Sequence, residues 1–261
     1  MYKVTQRPQA TDDTRPVALI TGASHGIGAA TARLFAAEGF DVCVNYLSDH
    51  TAAAKVVADC HEVGAKAIAV AGDVGDRENV ERVFLVCEEA FGSLSCLVNN
   101  AGIIGRACRL EDLLPEELER TFAVNTYGVV YCIQEAARMM AVRHGGKGGT
   151  IINMSSLAAT LGSPNEYIHY AASKGAVETI TAGAGKELAP DGIRVNAIRV
   201  GTTNTRIHVE GGNPQRPAKI AALTPMGRIA EPEDIAQAAL WLASPGSGFV
   251  TGTVITIAGG L

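Results

Sequence analysis

No two of the six cysteines (Cys43, Cys60, Cys87, Cys96, Cys108, Cys132) stand closer than nine residues, and C-x-x-C does not occur. That spacing excludes a zinc ribbon or a dithiol redox motif, and the thiols read as small buried residues kept reduced in a cytoplasmic setting. The six histidines include no H-E-x-x-H, so no metal site is expected. Lys and Arg never cluster beyond a pair, and 22 basic against 27 acidic residues leave a net charge of -5. The electrostatic footprint of a nucleic-acid binder is therefore missing. The N-terminal MYKVTQRPQATDDTRP carries charge throughout and lacks the apolar run of a secretory leader, so residues 1–16 read as a flexible tail. A membrane span is also lacking. The uncharged segment from Ile235 to Leu261 is broken at Ser244-Pro245-Gly246-Ser247-Gly248, short of the roughly 20 apolar residues a span requires.

What is present is enough for a folded core: 261 residues, 47% of them apolar, with 29 glycines scattered as turns rather than in a G-X-Y period. From Val17 on, short apolar runs alternate with stretches of helical period. VALI (17–20), DVCVN (41–45), AIAVA (67–71), CLVN (96–99), TIINM (150–154), IRVNAI (193–198) and TVITI (253–257) read as strands. Between them, helices are predicted over about 26–39, 49–63, 77–91, 115–142, 167–188 and 232–243. Strands alternating with helices imply a parallel sheet, because parallel neighbours need a crossover and right-handed crossovers place helices on both faces. The expected fold class is α/β: one domain over 17–261, built on a doubly wound parallel sheet of the Rossmann type. The stretch Thr202–Thr224 has poor periodicity and reads either as a lid or as an inert surface loop.

Thr21-Gly22-Ala23-Ser24-His25-Gly26-Ile27-Gly28 follows the first strand and runs into a helix. Gly22 permits a tight turn, Gly26 lets backbone approach a pyrophosphate, and Gly28 lets the helix lie close to the sheet. The same residues match the nucleophile elbow G-x-S-x-G of hydrolases, but that elbow follows several strands and an oxyanion loop, which are lacking upstream. Further on, Tyr170 and Lys174 in YAASK are one helical turn apart on one face. An ammonium there stabilises phenolate and makes a tyrosine usable as general acid or base. Ser155-Ser156 and Asn99-Asn100-Ala101-Gly102 close two strands at the carboxyl edge, where doubly wound sheets bind ligands.

TGASHGIG, NNAG, VNTYG (124–128), Ser155-Ser156 and YAASK, in this order over almost the whole chain, resemble the classical short-chain dehydrogenase/reductase family (SDR). The resemblance implies an oxidoreductase interconverting a carbonyl and an alcohol, similar to 3-oxoacyl thioester reductases, with a glucose 1-dehydrogenase-like sugar dehydrogenase as the alternative. It implies that Tyr170 transfers the proton, Ser156 binds the carbonyl oxygen with Ser155 the weaker candidate, Lys174 acts on Tyr170 and the nicotinamide ribose, and Asn125 belongs to a proton relay. The implied cofactor contacts are Gly22, Ser24, His25, Gly26, Ile27, Gly28, Asn45, Tyr46, Asp73, Val74, Asn99, Ala101, Gly102, Tyr170, Lys174, Gly201 and Thr203. A homotetramer is implied as well. Two departures stand out: Val200-Gly201 replaces the family's Pro-Gly, and Tyr170 follows Ser156 by 14 residues, one more than a common spacing.

NAD readers place an acid roughly 20 residues beyond the glycines, and here that position is Asn45-Tyr46. Asp41 lies at the far end of the strand and Asp49 falls in the next helix, so the expected cofactor is NADP, with NAD as the alternative. A non-catalytic dinucleotide-binding regulator would have no need of Asn125, Ser156, Tyr170 and Lys174 together.

Overall fold

The computed structural model describes residues 15–207 and 216–261. Its strands are β1 (Val17–Ile20), β2 (Asp41–Tyr46), β3 (Ala67–Ala71), β4 (Cys96–Asn99), β5 (Gly149–Ser156), β6 (Ile193–Val200) and β7 (Val254–Ile257). All pair in parallel, in the order β3-β2-β1-β4-β5-β6-β7. Sheet growth reverses between β1 and β4, which makes the crevice at their carboxyl ends the ligand site of such a sheet. The crossovers carry α1 (Gly26–Ala37), α2 (His50–Glu62), α3 (Arg77–Phe91), α4 (Pro115–Phe122), α5 (Gly128–Met140), α6 (Ala158–Leu161), α7 (Ile168–Glu187), α8 (Arg216–Leu223) and α9 (Pro232–Ala243).

Strand pleat divides the core in two. Ala18, Ile20, Val42, Val44 and Tyr46 face α1, α2 and α9, while Val17, Leu19 and Cys43 face α3 and α5. β1 and β2 are buried along their whole length, which is why they read as continuous apolar runs rather than as alternation. Helix starts follow side-chain chemistry. Asp49 and Asp76 accept from the backbone N–H of Ala52 and Asn79, and Glu231 and Asp234 form a reciprocal box around Pro232.

The structure differs from the sequence reading in several places, among them the short helix α6, which that reading lacks. The helix expected over 115–142 is interrupted by a π-helical turn, Ala123–Tyr127, and α5 ends at Met140. The wide turn coincides with Asn125, whose side chain is bonded to the chain at Ile103 instead of lying on a helical surface. Within the irregular stretch 202–224 lies α8, whose eight residues make little more than two turns, too short to show a period; residues 208–215 of the expected lid lie outside the described residues. Arg15 and Pro16 belong to the fold, because Arg15 donates to the carbonyls of Ala36, Phe40 and Gly64 and pairs with Asp41. Of the expected tail, residues 1–14 lie outside the described residues. Finally, β5 and β6 run on to Ser156 and Val200, two residues beyond the expected ends, which brings both serines onto the strand. All six cysteines are free thiols and only Cys108 is not buried.

Candidate active site

The carboxyl ends of β1, β2, β4, β5 and β6 open into a cavity of about 590 Å³. Its floor is the glycine turn between β1 and α1. Gly22 sits at φ +61°, and a Cβ there would stand 2.9 Å from Ala101 Cα. Gly26 sits at φ +52°, with Thr205 Cγ2 3.1 Å from the same point on it. Both conformations favour glycine, and both keep side chains out of the cavity floor. At Gly28 a Cβ would meet Asn100 Nδ2 at 2.5 Å and Gly22 O at 2.6 Å, so α1 lies against the turn with no room for a methyl. The first turn of α1 carries no acidic residue and no side-chain cap, which leaves its N–H dipoles directed at an incoming anion. This cradle fits a dinucleotide pyrophosphate. Ser24, His25 and Ile27 line it, with Asp73, Val74, Ala101, Gly102, Gly201 and Thr203 further along the wall.

At the other end stand Ser156, Tyr170 and Lys174. Lys174 is buried, its Nζ lies 5.8 Å from the centre of the Tyr170 ring, and it donates to Met154 O at 2.7 Å. Burial pulls its pKa from 10.5 down to about 8. The two serines have different partners. Ser155 Oγ is buried and donates to Glu178 Oε1 at 2.8 Å, and Glu178 is held in turn by both nitrogens of a fork from Arg199, the register partner of Ser155 across β5 and β6. Ser156 Oγ accepts from the Ala158 N–H at 3.2 Å, which leaves its own proton for a ligand. Asn125, fully buried in the π turn, accepts from Ile103 N–H at 2.9 Å and donates to Ile103 O at 2.8 Å and Ser173 Oγ at 3.0 Å. A Cβ on Gly102 would lie 3.3 Å from both Asn125 Oδ1 and Lys174 Nζ, so the loop passes between the two.

Several expected cofactor contacts lie off the cavity wall or have their side chains engaged by the protein. The pleat of β2 turns Tyr46 toward α1 and α2, where it is buried with its hydroxyl 2.9 Å from His50 Nδ1; it is not part of the cavity wall. Asn45 lines the cavity, but its amide donates to Val70 O and Gly72 O and its oxygen accepts from Gly22 N–H, so it braces the turn instead of offering donors to a phosphate. Asn99 points into the sheet, donating to Asn153 Oδ1 at 2.9 Å; the wall residue is Asn100. Asp49 precedes α2 and reaches the rim, where its carboxylate accepts from Ala52 N–H and pairs with His25 Nε2 at 3.1 Å. The sequence reading had set it aside, and it also missed Arg120, which lines the cavity and pairs with Asp73 at 2.7 Å. Arg120 has no local signal, being one of several charges on a solvated helix.

A family model described as Enoyl-(Acyl carrier protein) reductase matches residues 22–261. An uncharacterized oxidoreductase of Escherichia coli K12 is 43% identical over 244 residues, covering 94% of this chain and 99% of its own length. A 3-oxoacyl-[acyl-carrier-protein] reductase of Synechocystis is 36% identical over 249 residues, covering 95% of this chain and 97% of its own length. Among solved structures, a short-chain dehydrogenase/reductase variant of Serratia marcescens superposes with a TM-score of 0.87 at 32% identity, covering 95% of this chain and 98% of that one. The glycine turn at the β1–β4 switch point, the Tyr170–Lys174 pair and these likenesses make the chain an NAD(P)-dependent oxidoreductase of the short-chain dehydrogenase/reductase family.

Proposed function

We propose that the domain over 17–261 reduces a carbonyl to an alcohol, or runs the reverse, with NADP as cofactor and Tyr170 as general acid and base. The observation that supports this reading is that Ser156, Tyr170 and buried Lys174 all line one cavity, with Lys174 Nζ 5.8 Å from the centre of the Tyr170 ring. The bound nicotinamide supplies or accepts the hydride. Tyr170 gives its hydroxyl proton to the carbonyl oxygen in the reducing direction and removes it in the oxidising one. Ser156 donates a hydrogen bond to the same oxygen and stabilises the charge that develops there. The Lys174 ammonium favours the phenolate that Tyr170 leaves behind. Asn125 holds the loop beneath them and belongs to the route by which protons return to Lys174.

Support for NADP comes from the rim of the adenosine end. No acid follows β2 directly, Ser48 stands exposed there, and the carboxylate of Asp49 is engaged by His25 and the α2 backbone. The substrate end is walled by Ile103, Ile104, Leu157, Leu161, Ile207 and Ile220, which suits an acyl chain better than a sugar. We therefore place 3-oxoacyl thioesters and comparable apolar ketones ahead of sugars. No helix among the described residues is long and apolar enough to cross a bilayer. A homotetramer in the cytoplasm completes the proposal, supported by free cysteines and by exposed Trp241 and Phe249 near the C-terminus. The direct test is a panel of 3-oxoacyl thioesters, apolar ketones and sugars, followed by absorbance of the reduced cofactor. Turnover of the sugars alone would overturn the substrate reading.

A further inference from the structure

Among the described residues, four buried side-chain polar atoms lack a hydrogen-bond partner, and three of them sit on the packed pair α4 and α7. They are Glu117 Oε2 and Thr121 Oγ1 on α4 and His169 Nε2 on α7. Glu117 and Thr121 are four apart and share one face of α4, which packs on α7. Thr121 is 1% exposed and His169 2%. The chain turns past them at Gly105, where φ is +74° and a Cβ would stand 2.5 Å from His169 Nε2 and 3.5 Å from Thr121 Oγ1.

The chemistry of the three atoms is complementary to one molecule. The other nitrogen of His169 is hydrogen-bonded to the Ile104 main chain, and burial holds the imidazole below its usual pKa against the opposing pull of Glu117 and of that bond. The neutral ring therefore presents Nε2 as an acceptor. Glu117 Oε2 is a second acceptor, its other oxygen facing Arg106 Nε at 3.4 Å. Thr121 has a single O–H to give, so pairing within the trio leaves one acceptor unsatisfied. A water that donates to Nε2 and Oε2 and accepts from the Thr121 hydroxyl satisfies all three, with the three bonds usual for a buried water.

The place of the cluster gives it a consequence for the site. The Gly102–Gly105 loop supplies Ile103 and Ile104 to the cavity wall. Asn125 grips it at Ile103 through both backbone groups, and His169 grips it at Ile104. His169 is also the residue before Tyr170. We propose that His169 is a positioning residue: with one internal water shared with Thr121 and Glu117, it ties this loop to the start of α7 and sets the cavity wall relative to Tyr170. The positioning half rests on Tyr170 being the proton donor; the water site does not.

The test is a stability cycle joined to kinetics on the best substrate of the panel. Thr121→Val keeps the shape and removes the hydroxyl. If a water joins the three groups, its Tm falls, Thr121→Ser stays closer to wild type, and the valine change costs nothing further in a His169→Phe background. An unpartnered hydroxyl would instead make Thr121→Val neutral or stabilising, which overturns the water site. Equal losses in both backgrounds do the same. His169→Phe should lower kcat by roughly ten- to a hundred-fold through misplacement of the wall. His169→Gln, which returns an acceptor near Nε2, should recover much of that loss. Binding of 5′-AMP, which probes only the adenosine end, should stay within about twofold. Unchanged kcat and KM in folded His169→Phe overturn the positioning role, whereas unchanged turnover in Tyr170→Phe removes the catalytic reading and leaves the stability cycle to judge the water.

Discussion

Replacing Lys174 by Met should abolish turnover and at the same time remove a penalty on folding. Lys174 is buried against Met154 O, and its pKa falls from 10.5 to about 8 because burial disfavours the charged amine. At about 1.36 kcal/mol per pH unit, that drop corresponds to about 3 kcal/mol of penalty on the protonated folded form. The sign follows from where the proton is held. Below about pH 8 both folded and unfolded chains keep it, and the penalty is present in full. Between about 8 and 10.5 the unfolded chain keeps the proton while the folded protein releases it, so wild-type stability rises with pH through that window. Lys174→Met has no such proton. Its loss of the charge-assisted bond to Met154 O, about 1.5–3 kcal/mol, offsets most of the gain at pH 7, leaving the variant equal to wild type or slightly more stable. The diagnostic quantity is the difference between the two proteins in urea unfolding at pH 7, 8, 9 and 10, since other titrating groups cancel in it. Wild type should gain about 2–3 kcal/mol on the variant across that range. A flat difference would refute the claim that Lys174 is a desolvated lysine poised near neutrality.

Tyr170→Phe should cut turnover by ~100- to 10,000-fold with cofactor affinity nearly unchanged, because it deletes one proton donor and keeps the ring; turnover within threefold of wild type sinks the mechanism. Calorimetric titration should show NADP binding more tightly than NAD, and Ser48→Asp at the exposed rim should shift the preference toward NAD, whereas Tyr46→Asp, at a buried position, should mainly destabilise. Gly28→Ala should cost about 1–3 kcal/mol by overpacking against Asn100 and Gly22 O and should weaken dinucleotide binding; wild-type unfolding and binding would contradict the close approach. Light scattering at micromolar concentration should give a tetramer mass, and a monomer would refute the oligomer reading.

The strands, the glycine turn and the Tyr170–Lys174 pair were legible because each depends on neighbours within one turn or one strand. Apolar runs of four to six residues bounded by turn residues specify buried strands wherever they end up in the sheet. Helical spacing places residues 170 and 174 together whatever lies beyond the helix. The same locality explains why Gly22, Gly26 and Gly28 could be assigned distinct roles from spacing alone. Five motifs in one order then pointed to the family, although no single one of them would have done so.

Side-chain direction and long-range pairing were decided only in three dimensions. The pleat of β2 sends Asn45 to the cavity and Tyr46 to the core, and the register that sets this depends on β1 and β3 on either side. Ser155 and Ser156 look equivalent in sequence, yet Glu178 and Arg199, brought from α7 and β6, engage only the first. Asp49 could be placed at the rim only once α2 had docked and turned its first residues toward His25. At the π turn, Asn125 meets a loop 22 residues away that offers both backbone groups of Ile103 to one amide. Propensity and period act over a few residues, whereas hydrogen-bond satisfaction of buried groups is settled between segments that meet only when the sheet has formed.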